Sequence, residues 1–121
     1  MRNSLLFLAS ASTALATKLY VSSYSGIITT LDLTQSCNGS YALEKTFTNN
    51  GSAPSPSWLS LDEENKVIYC LDENLSGGNG SISSYRTSPS GQLTQIDRHS
   101  VITGPVSSII YNNGKAQAAA H

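Results

Sequence analysis

Short runs of apolar residues, separated by clusters of Gly, Asn, Asp, Ser and Pro, occupy the chain from Leu19 onward. Runs of this length between turn residues are typical of β-strands, whereas an amphipathic helix needs a longer segment with helical periodicity. The pattern therefore predicts strands and no helix after the N-terminal segment. The predicted strands cover residues 19–24, 27–33, 41–48, 57–61, 66–72, 81–87, 92–101, 106–111 and 115–121.

A repeat organises these strands. Segments that open on a lysine begin at Lys18, Lys66 and Lys115, at spacings of 48 and 49 positions. The segments that lead into the second and third copies begin at Pro56 and Pro105, which are again 49 positions apart. Self-similarity at this period with strands in every copy is typical of the blades of a β-propeller. Since blades do not bury their faces alone, a functional site is expected to need several of them.

The predicted strands can be assigned to blades, in which strands a to d run from the inside to the outside. The second blade is complete, the first lacks strand a, and the third has strands a and b only. The predicted fold class is therefore all-β: a partial β-propeller of about two to two and a half four-stranded antiparallel blades over residues 17–121. The sequence reaches His121 inside an apolar strand, which indicates a truncated product or a partial gene model.

Composition supports a β-rich domain and excludes some partners. Only 12% of the residues are charged, and the formal net charge of the 121-residue chain is −1. The seven Lys and Arg residues are scattered singly, so no basic surface is expected for nucleic acid or for an anionic membrane.

The N-terminal segment differs from the rest of the chain. Arg2 precedes an apolar run over residues 5–15, and small residues at Ala14 and Ala16 fit the −3 and −1 positions of a secretory cleavage site. We predict a signal peptide over residues 1–16, with secretion after cleavage near Ala16. The run is shorter than the ~20 residues that span a bilayer, so no membrane anchor is expected. A buried first strand or helix is the alternative.

Four Asn-x-Ser sequons become meaningful in a secreted chain. They lie among turn residues, and each is a candidate N-glycosylation site: Asn38, Asn50, Asn74 and Asn79. The alternative is that Asn and Ser serve only as turn formers.

Two cysteines, Cys37 and Cys70, permit a single disulfide in an oxidising compartment. Cys37 lies in a predicted loop and Cys70 in an apolar strand. A bridge between them is one prediction; the alternatives for Cys70 are a buried free thiol and a bond to a cysteine that this chain lacks.

Several motifs in a fixed order resemble the lactonase family of seven-bladed propellers, which includes 6-phosphogluconolactonase and 3-carboxy-cis,cis-muconate cyclase. The first segment, TKLYVSSYSGIITTLDL, is most similar to secreted fungal members of the cyclase type. The resemblance covers residues 17–121 and rests on five motifs: Pro56–Asp62, Lys66–Tyr69 with Asp72–Asn74, Gly80–Tyr85, Gly91–Leu93 and Gly104–Pro105.

The resemblance implies chemistry on a lactone, either hydrolysis of a sugar lactone or opening and closure of a muconolactone, with no metal or cofactor. The expected ligand is a small lactone or carboxylate, and the expected partners are the missing blades of the same propeller. Glu73 and His121 are the candidate acid or base residues, each placed at the end of a predicted inner strand. An ordinary surface role is the alternative for both, and His99 beside Arg98 is expected on the surface.

Trp58 offers a sugar-stacking surface, but an indole at the start of an inner strand more commonly fills the space between blades. Two functional classes remain. One is a fragment of a secreted lactonase or cyclase-like enzyme that is inactive alone, and the other is a non-catalytic secreted glycoprotein that uses the propeller as a binding or antigenic surface.

Overall fold

The computed structural model describes residues 16–114 and, for the backbone, 116–120. Apart from Ala16, the predicted signal peptide lies outside the described residues, as do Lys115 and His121. Nine strands follow one another along this part of the chain: β1 Thr17–Ser23, β2 Ile27–Gln35, β3 Tyr41–Asn50, β4 Pro56–Asp62, β5 Val67–Asp72, β6 Asn79–Thr87, β7 Leu93–Thr103, β8 Ser107–Tyr111 and β9 Ala116–Ala120.

The predicted strands are confirmed in number and order, with small shifts at their ends. Lys66 is the clearest correction, because it was predicted to open a strand and instead lies in the β4–β5 turn. Its φ of 57° is in the left-handed region, which is incompatible with extended strand geometry. Asn79 and Gly80, predicted in a turn, instead begin β6.

The strands form antiparallel sheets in the order β1-β2-β3, β4-β5-β6-β7 and β8-β9, which we call blades 1, 2 and 3. The all-β partial propeller is thereby confirmed, with blade 2 as the complete four-stranded unit. Tight turns join neighbouring strands. In the turn between β1 and β2, Gly26 has a φ of 78° and donates its N–H to the carbonyl of Ser23 at 3.1 Å.

Blades 1 and 2 pack face to face. Ile28 from blade 1 is buried with Cys70 and Tyr85 from blade 2, and Tyr20, Leu59 and Leu93 pack around this cluster. Alternate residues of each strand point to opposite faces, so one face of β1 and β2 supplies Tyr20 and Ile28. This buried cluster therefore lies between the two sheets.

Contacts between blades 2 and 3 join their inner strands and the turns that follow them. The hydroxyl oxygens of Ser60 in β4 and Ser108 in β8 lie 3.1 Å apart, although 48 positions separate them in sequence. Asn65 donates its side-chain amide to the carbonyl of Asn113 at 3.4 Å, again across 48 positions. In a radial array, the inner strands of neighbouring blades approach one another most closely, so these contacts place β4 and β8 as adjacent inner strands.

Within residues 16–114 and 116–120, no helix has the length and apolar character needed to cross a membrane.

Candidate functional site

One end of the sheets, which we call the upper end face, carries the turns β1–β2 and β5–β6 and the connections β3–β4 and β7–β8. Asp72, the last residue of β5, is buried at this end. Its carboxylate accepts the backbone N–H of Ser55 at 2.9 Å, the N–H of Asn74 at 3.1 Å and the Ser81 hydroxyl at 3.4 Å. These bonds satisfy a charge that burial would otherwise penalise, and they attach the β3–β4 connection to the β5–β6 turn.

Gly80 extends this close packing to the next connection. A Cβ at this position would collide with the carbonyl oxygen of Asp72 and, at 2.5 Å, with the ring of Pro105. Glycine therefore lets the β7–β8 connection approach the start of β6. The loops of this end face are therefore held by the Asp72 carboxylate and by the close packing of Pro105 on Gly80.

Glu73 follows Asp72 and is half-buried on this end face. The exposed phenol of Tyr24, at the end of β1, donates a hydrogen bond to Glu73 Oε1 at 3.2 Å across 49 positions of sequence. The backbone N–H of Glu73 donates to the carbonyl of Ser55 at 3.1 Å, which fixes the start of the loop. The pKa of Tyr24 is raised above its ordinary value, chiefly by the negative charge of Glu73. This pair connects blades 1 and 2 on the surface of the upper end face.

Trp58 lies near the same end, on the inner strand β4. Its indole N–H donates to the Ser60 hydroxyl at 3.1 Å, and Ser60 in turn contacts Ser108 of blade 3. The side chain of Trp58 is exposed. Trp58 shares with Ser60 the face of β4 that is turned to blade 3, and its filling of the space between blades stays a prediction.

The opposite, lower end face carries the turns β2–β3, β4–β5, β6–β7 and β8–β9. Asp62 accepts the side-chain amide of Asn65 at 2.8 Å and its backbone N–H at 3.0 Å. These hydrogen bonds hold the pKa of Asp62 below its ordinary value, and the bond from the Asn65 side chain has the largest effect. Lys18, near this end, is neutralised by Asp32 at 2.6 Å. At the lower end face, these bonds therefore stabilise the β4–β5 turn and the pairing of β1 with β2.

The two predicted acid or base candidates have different outcomes. Glu73 lies at the upper end face with Tyr24, whereas His121 is outside the described residues. His99 is exposed on β7 and pairs with Asp97 at 2.9 Å, as expected for a surface residue. Among the described residues, no group of His, Cys, Asp and Glu side chains is arranged to hold a metal ion.

The four sequons lie in or next to turns, but their side chains are used differently. Asn38 is exposed, and its Oδ1 accepts the Ser40 N–H at 3.0 Å. Asn74, with a φ of 52°, instead uses its amide nitrogen, which donates to the carbonyls of Gly77 and Asn79 at 3.0 Å each. Asn50 and Asn79 are exposed at the end of β3 and the start of β6.

Both cysteines are free in the structure, Cys37 exposed and Cys70 buried. The predicted bridge between them is not formed there, and the topology explains why. Cys70 packs against Ile28 at the start of β2, whereas Cys37 follows the far end of that strand. The strand from Ile28 to Gln35 alone covers about 23 Å, and a disulfide needs Cα atoms within about 7 Å.

We expect the two thiols to differ sharply in reactivity. Burial raises the pKa of Cys70 to about 12, so this thiol is protonated and inaccessible, whereas Cys37 is open to reagent. Alkylation of the native chain without reductant, followed by peptide mass mapping, should modify Cys37 and leave Cys70 unmodified until the chain is denatured. A Cys37→Ser control should show no native reactive thiol. Absence of any free thiol in the unreduced wild type would instead support the bridge.

The comparison with family profiles decides the classification. A profile described as "Lactonase, 7-bladed beta-propeller" matches residues 18–121. The chain belongs to the lactonase family. In this lactonase-family chain, the matched region contains the described blades from the second residue of β1 onward. Searches of curated proteins and of solved structures found no match.

Sequence reasoning identified Glu73 but missed its partner. Tyr20 and Tyr69 are 49 positions apart, and the same offset places Tyr24 at the position equivalent to Glu73. Alignment of the copies on the tyrosines, and not on Lys18 and Lys66, would have revealed this correspondence. The motif that contains Asp72 did not reveal its hydrogen bond to Ser55, because Ser55 lies in the connection between blades 1 and 2.

Proposed function

We propose that this chain supplies the first blades of a secreted propeller that acts on a lactone, and that the complete site needs further blades of the same propeller. Two facts support the proposal. The lactonase profile covers nearly all of the sequence after the predicted signal peptide. The family description specifies seven blades, whereas the described strands form three sheets of three, four and two strands.

The observation that carries the proposal is the bond between Tyr24 and Glu73 at the upper end face. A half-buried carboxylate, held by its own backbone and by a phenol from the adjacent blade, suits general base catalysis. In lactone hydrolysis, Glu73 would take a proton from water as the water oxygen bonds to the lactone carbonyl carbon. The ring C–O bond would then break, and Glu73 would return the proton to the leaving oxygen. The product is an open hydroxy acid.

A chimeric propeller tests this function. The first blades of a catalytically active lactonase-family protein would be replaced by residues 17–121 of this chain, and ring opening would be followed by acid release on sugar lactones and on muconolactone. We expect the chimera to open at least one of these rings and the unfused chain to show no rate above that of buffer, because its site is incomplete.

The chimera also distinguishes the two functional classes. If it folds, as judged by circular dichroism and cooperative unfolding, but has lost the activity of its parent, the blades of this chain are not compatible with lactone chemistry. That outcome contradicts the enzyme proposal and supports a non-catalytic secreted glycoprotein. Ring opening by the unfused chain would contradict the proposed need for further blades.

Secretion and N-glycosylation are part of the same proposal, and the sequons should not be occupied equally. Glycan attachment at Asn74 removes hydrogen from the amide nitrogen that donates to Gly77 and Asn79. Attachment at Asn38 leaves in place the oxygen that caps its turn. Expression in a glycosylating host, followed by glycosidase release and peptide mapping, should show higher occupancy at Asn38 than at Asn74. Equal or reversed occupancy would contradict this ranking.

A further inference from the structure

The step from Asn50 to Gly51 leads from blade 1 into the connection to blade 2. Asn50 is the last residue of β3 and is exposed. Glycine has no side chain to hinder its backbone nitrogen, so the nitrogen of Gly51 is able to approach the side-chain amide carbon of Asn50. The sheets on both sides of this step are described, so its neighbours from blades 1 and 2 are present.

Both reacting groups of this step are unrestrained. Within the described residues, neither the side-chain amide of Asn50 nor the N–H of Gly51 has a hydrogen-bond partner. A Cβ built on Gly51 would meet no atom within 4 Å. The adjacent Asn49 is a contrast, because its amide donates to the carbonyl of Ile28 at 3.0 Å and its Oδ1 accepts the N–H of Leu93 at 3.2 Å. Since strand ends open at little cost in free energy, Asn50 turns toward Gly51 more easily than a residue held within the strand.

The chain has three further Asn-Gly steps, which begin at Asn38, Asn79 and Asn113. At the first of them, both reacting groups are already bonded. The N–H of Gly39 donates to the carbonyl of Ser36 at 2.9 Å, and Asn38 Oδ1 accepts the N–H of Ser40 at 3.0 Å. The turn must therefore open before the two groups can meet.

The other two steps are held by packing. Gly80 is buried, and a Cβ on it would lie 2.5 Å from the ring of Pro105. A Cβ on Gly114 would collide with the carboxylate of Asp62, and the carbonyl of Asn113 accepts a hydrogen bond at 3.4 Å. Rearrangement of the backbone at either step has to displace these neighbours.

We propose that Asn50 is the preferred site of spontaneous deamidation in the folded chain, with water as the second reactant. The backbone nitrogen of Gly51 loses its proton and bonds to Cγ of Asn50, whose amide nitrogen takes up a proton and leaves as ammonia. One water then opens the resulting five-membered imide at either of its two carbonyl carbons. One opening gives aspartate, and the other gives isoaspartate, in which the main chain runs through Cγ.

The reaction changes two features of this connection. The carbonyl of Gly51 accepts Nη2 of Arg98 at 2.9 Å, while Nε of the same arginine donates to Ser83 at 2.9 Å, so Arg98 attaches the connection to blade 2. Isoaspartate adds one backbone carbon directly before Gly51 and so shifts this carbonyl. Deamidation also removes the amide nitrogen that would carry a glycan in the Asn50 sequon, so the two modifications exclude each other.

Incubation of the folded, unglycosylated full chain at mildly alkaline pH, followed by peptide mass mapping, tests the proposal. Aspartate and isoaspartate should accumulate at position 50 at least about ten-fold faster than at positions 38, 79 and 113, a ratio that corresponds to about 1.4 kcal/mol of local opening. The rate at Asn50 should rise with pH, because the attacking nitrogen must lose its proton. In the urea-denatured chain, the four steps should react at similar rates, since each is an Asn-Gly step.

Asn50→Gln is the matched control, because glutamine keeps an exposed amide but its cyclisation needs a larger ring. Position 50 of this variant should stay unmodified while the other three steps react at their wild-type rates. Circular dichroism during the incubation verifies that the strands persist. Similar rates at all four steps of the folded chain overturn the proposal, and so does faster conversion at Asn38, Asn79 or Asn113 than at Asn50.

Discussion

Replacing Ile68 with alanine is expected to lower the free energy of unfolding by about 2–5 kcal/mol, which is the usual cost of truncating a large buried aliphatic side chain to Ala. Ile68 is fully buried in β5. Its loss leaves a cavity where blade 2 packs on blade 1. A change of this size is a large part of the stability of a small domain, so the variant should show partial unfolding under conditions in which the wild type is native.

The repeat provides the control. Leu19 occupies the equivalent position in blade 1 but is 37% exposed, so Leu19→Ala removes less buried area and should cost only about 1–2 kcal/mol. Urea unfolding, followed by circular dichroism at a concentration where the chain is monomeric, compares the two. Equal losses would mean that burial between blades does not determine stability.

Replacing Glu73 with glutamine is expected to lower the ring-opening rate of the chimeric propeller by about 10²–10⁴-fold, the range of a lost general acid or base. Glutamine keeps the size of the side chain and an acceptor for Tyr24 but removes the basic carboxylate. Glu64→Gln, on the exposed β4–β5 turn at the opposite end face, is the matched control and should leave the rate unchanged. A rate within about two-fold of wild type for Glu73→Gln would exclude the base role, since general base catalysis is worth far more than that.

The same variant has a readout that does not depend on activity. The negative charge of Glu73 is the main cause of the raised pKa of Tyr24. Glu73→Gln should therefore lower the pKa of Tyr24 toward the ordinary tyrosine value, as measured by ultraviolet titration of the full chain against a Tyr24→Phe reference. An unchanged titration would show that the two side chains do not interact in solution.

Most of the strand pattern could be predicted, because local signals agreed with the tertiary structure. Glycine at position 26 and the Asn112–Gly114 segment, all with positive φ, stand where the chain turns. Lys66 was misplaced because the repeat was aligned on lysines, whereas φ at that position is set by the turn it closes. The strand propensity of single residues does not show whether Lys66 is the last residue of the turn or the first residue of the strand.

The candidate site was less predictable, since its contacts join residues far apart in sequence. The role of Asp72 depends on Ser55, 17 positions away in another connection. The bridge between Cys37 and Cys70 was a reasonable inference from composition, but the length of β2 separates the two thiols. Glu73 was identified as an ionisable residue at a strand end, and its phenol partner required the spatial order of the blades.

The central claim is that the inner strands of successive blades, β4 and β8, lie side by side. Engineered cysteines at Ser60 and Ser108 test it most directly, because these hydroxyl oxygens lie 3.1 Å apart. In a Cys37→Ser background, Ser60→Cys with Ser108→Cys should form an intramolecular disulfide under mild oxidation, as read by non-reducing electrophoresis and mass spectrometry. Ser60→Cys with Ser107→Cys, whose second thiol points to the opposite face of β8, should remain reduced. Equal bridging in both pairs, or none in the first, would contradict the stacked-blade account.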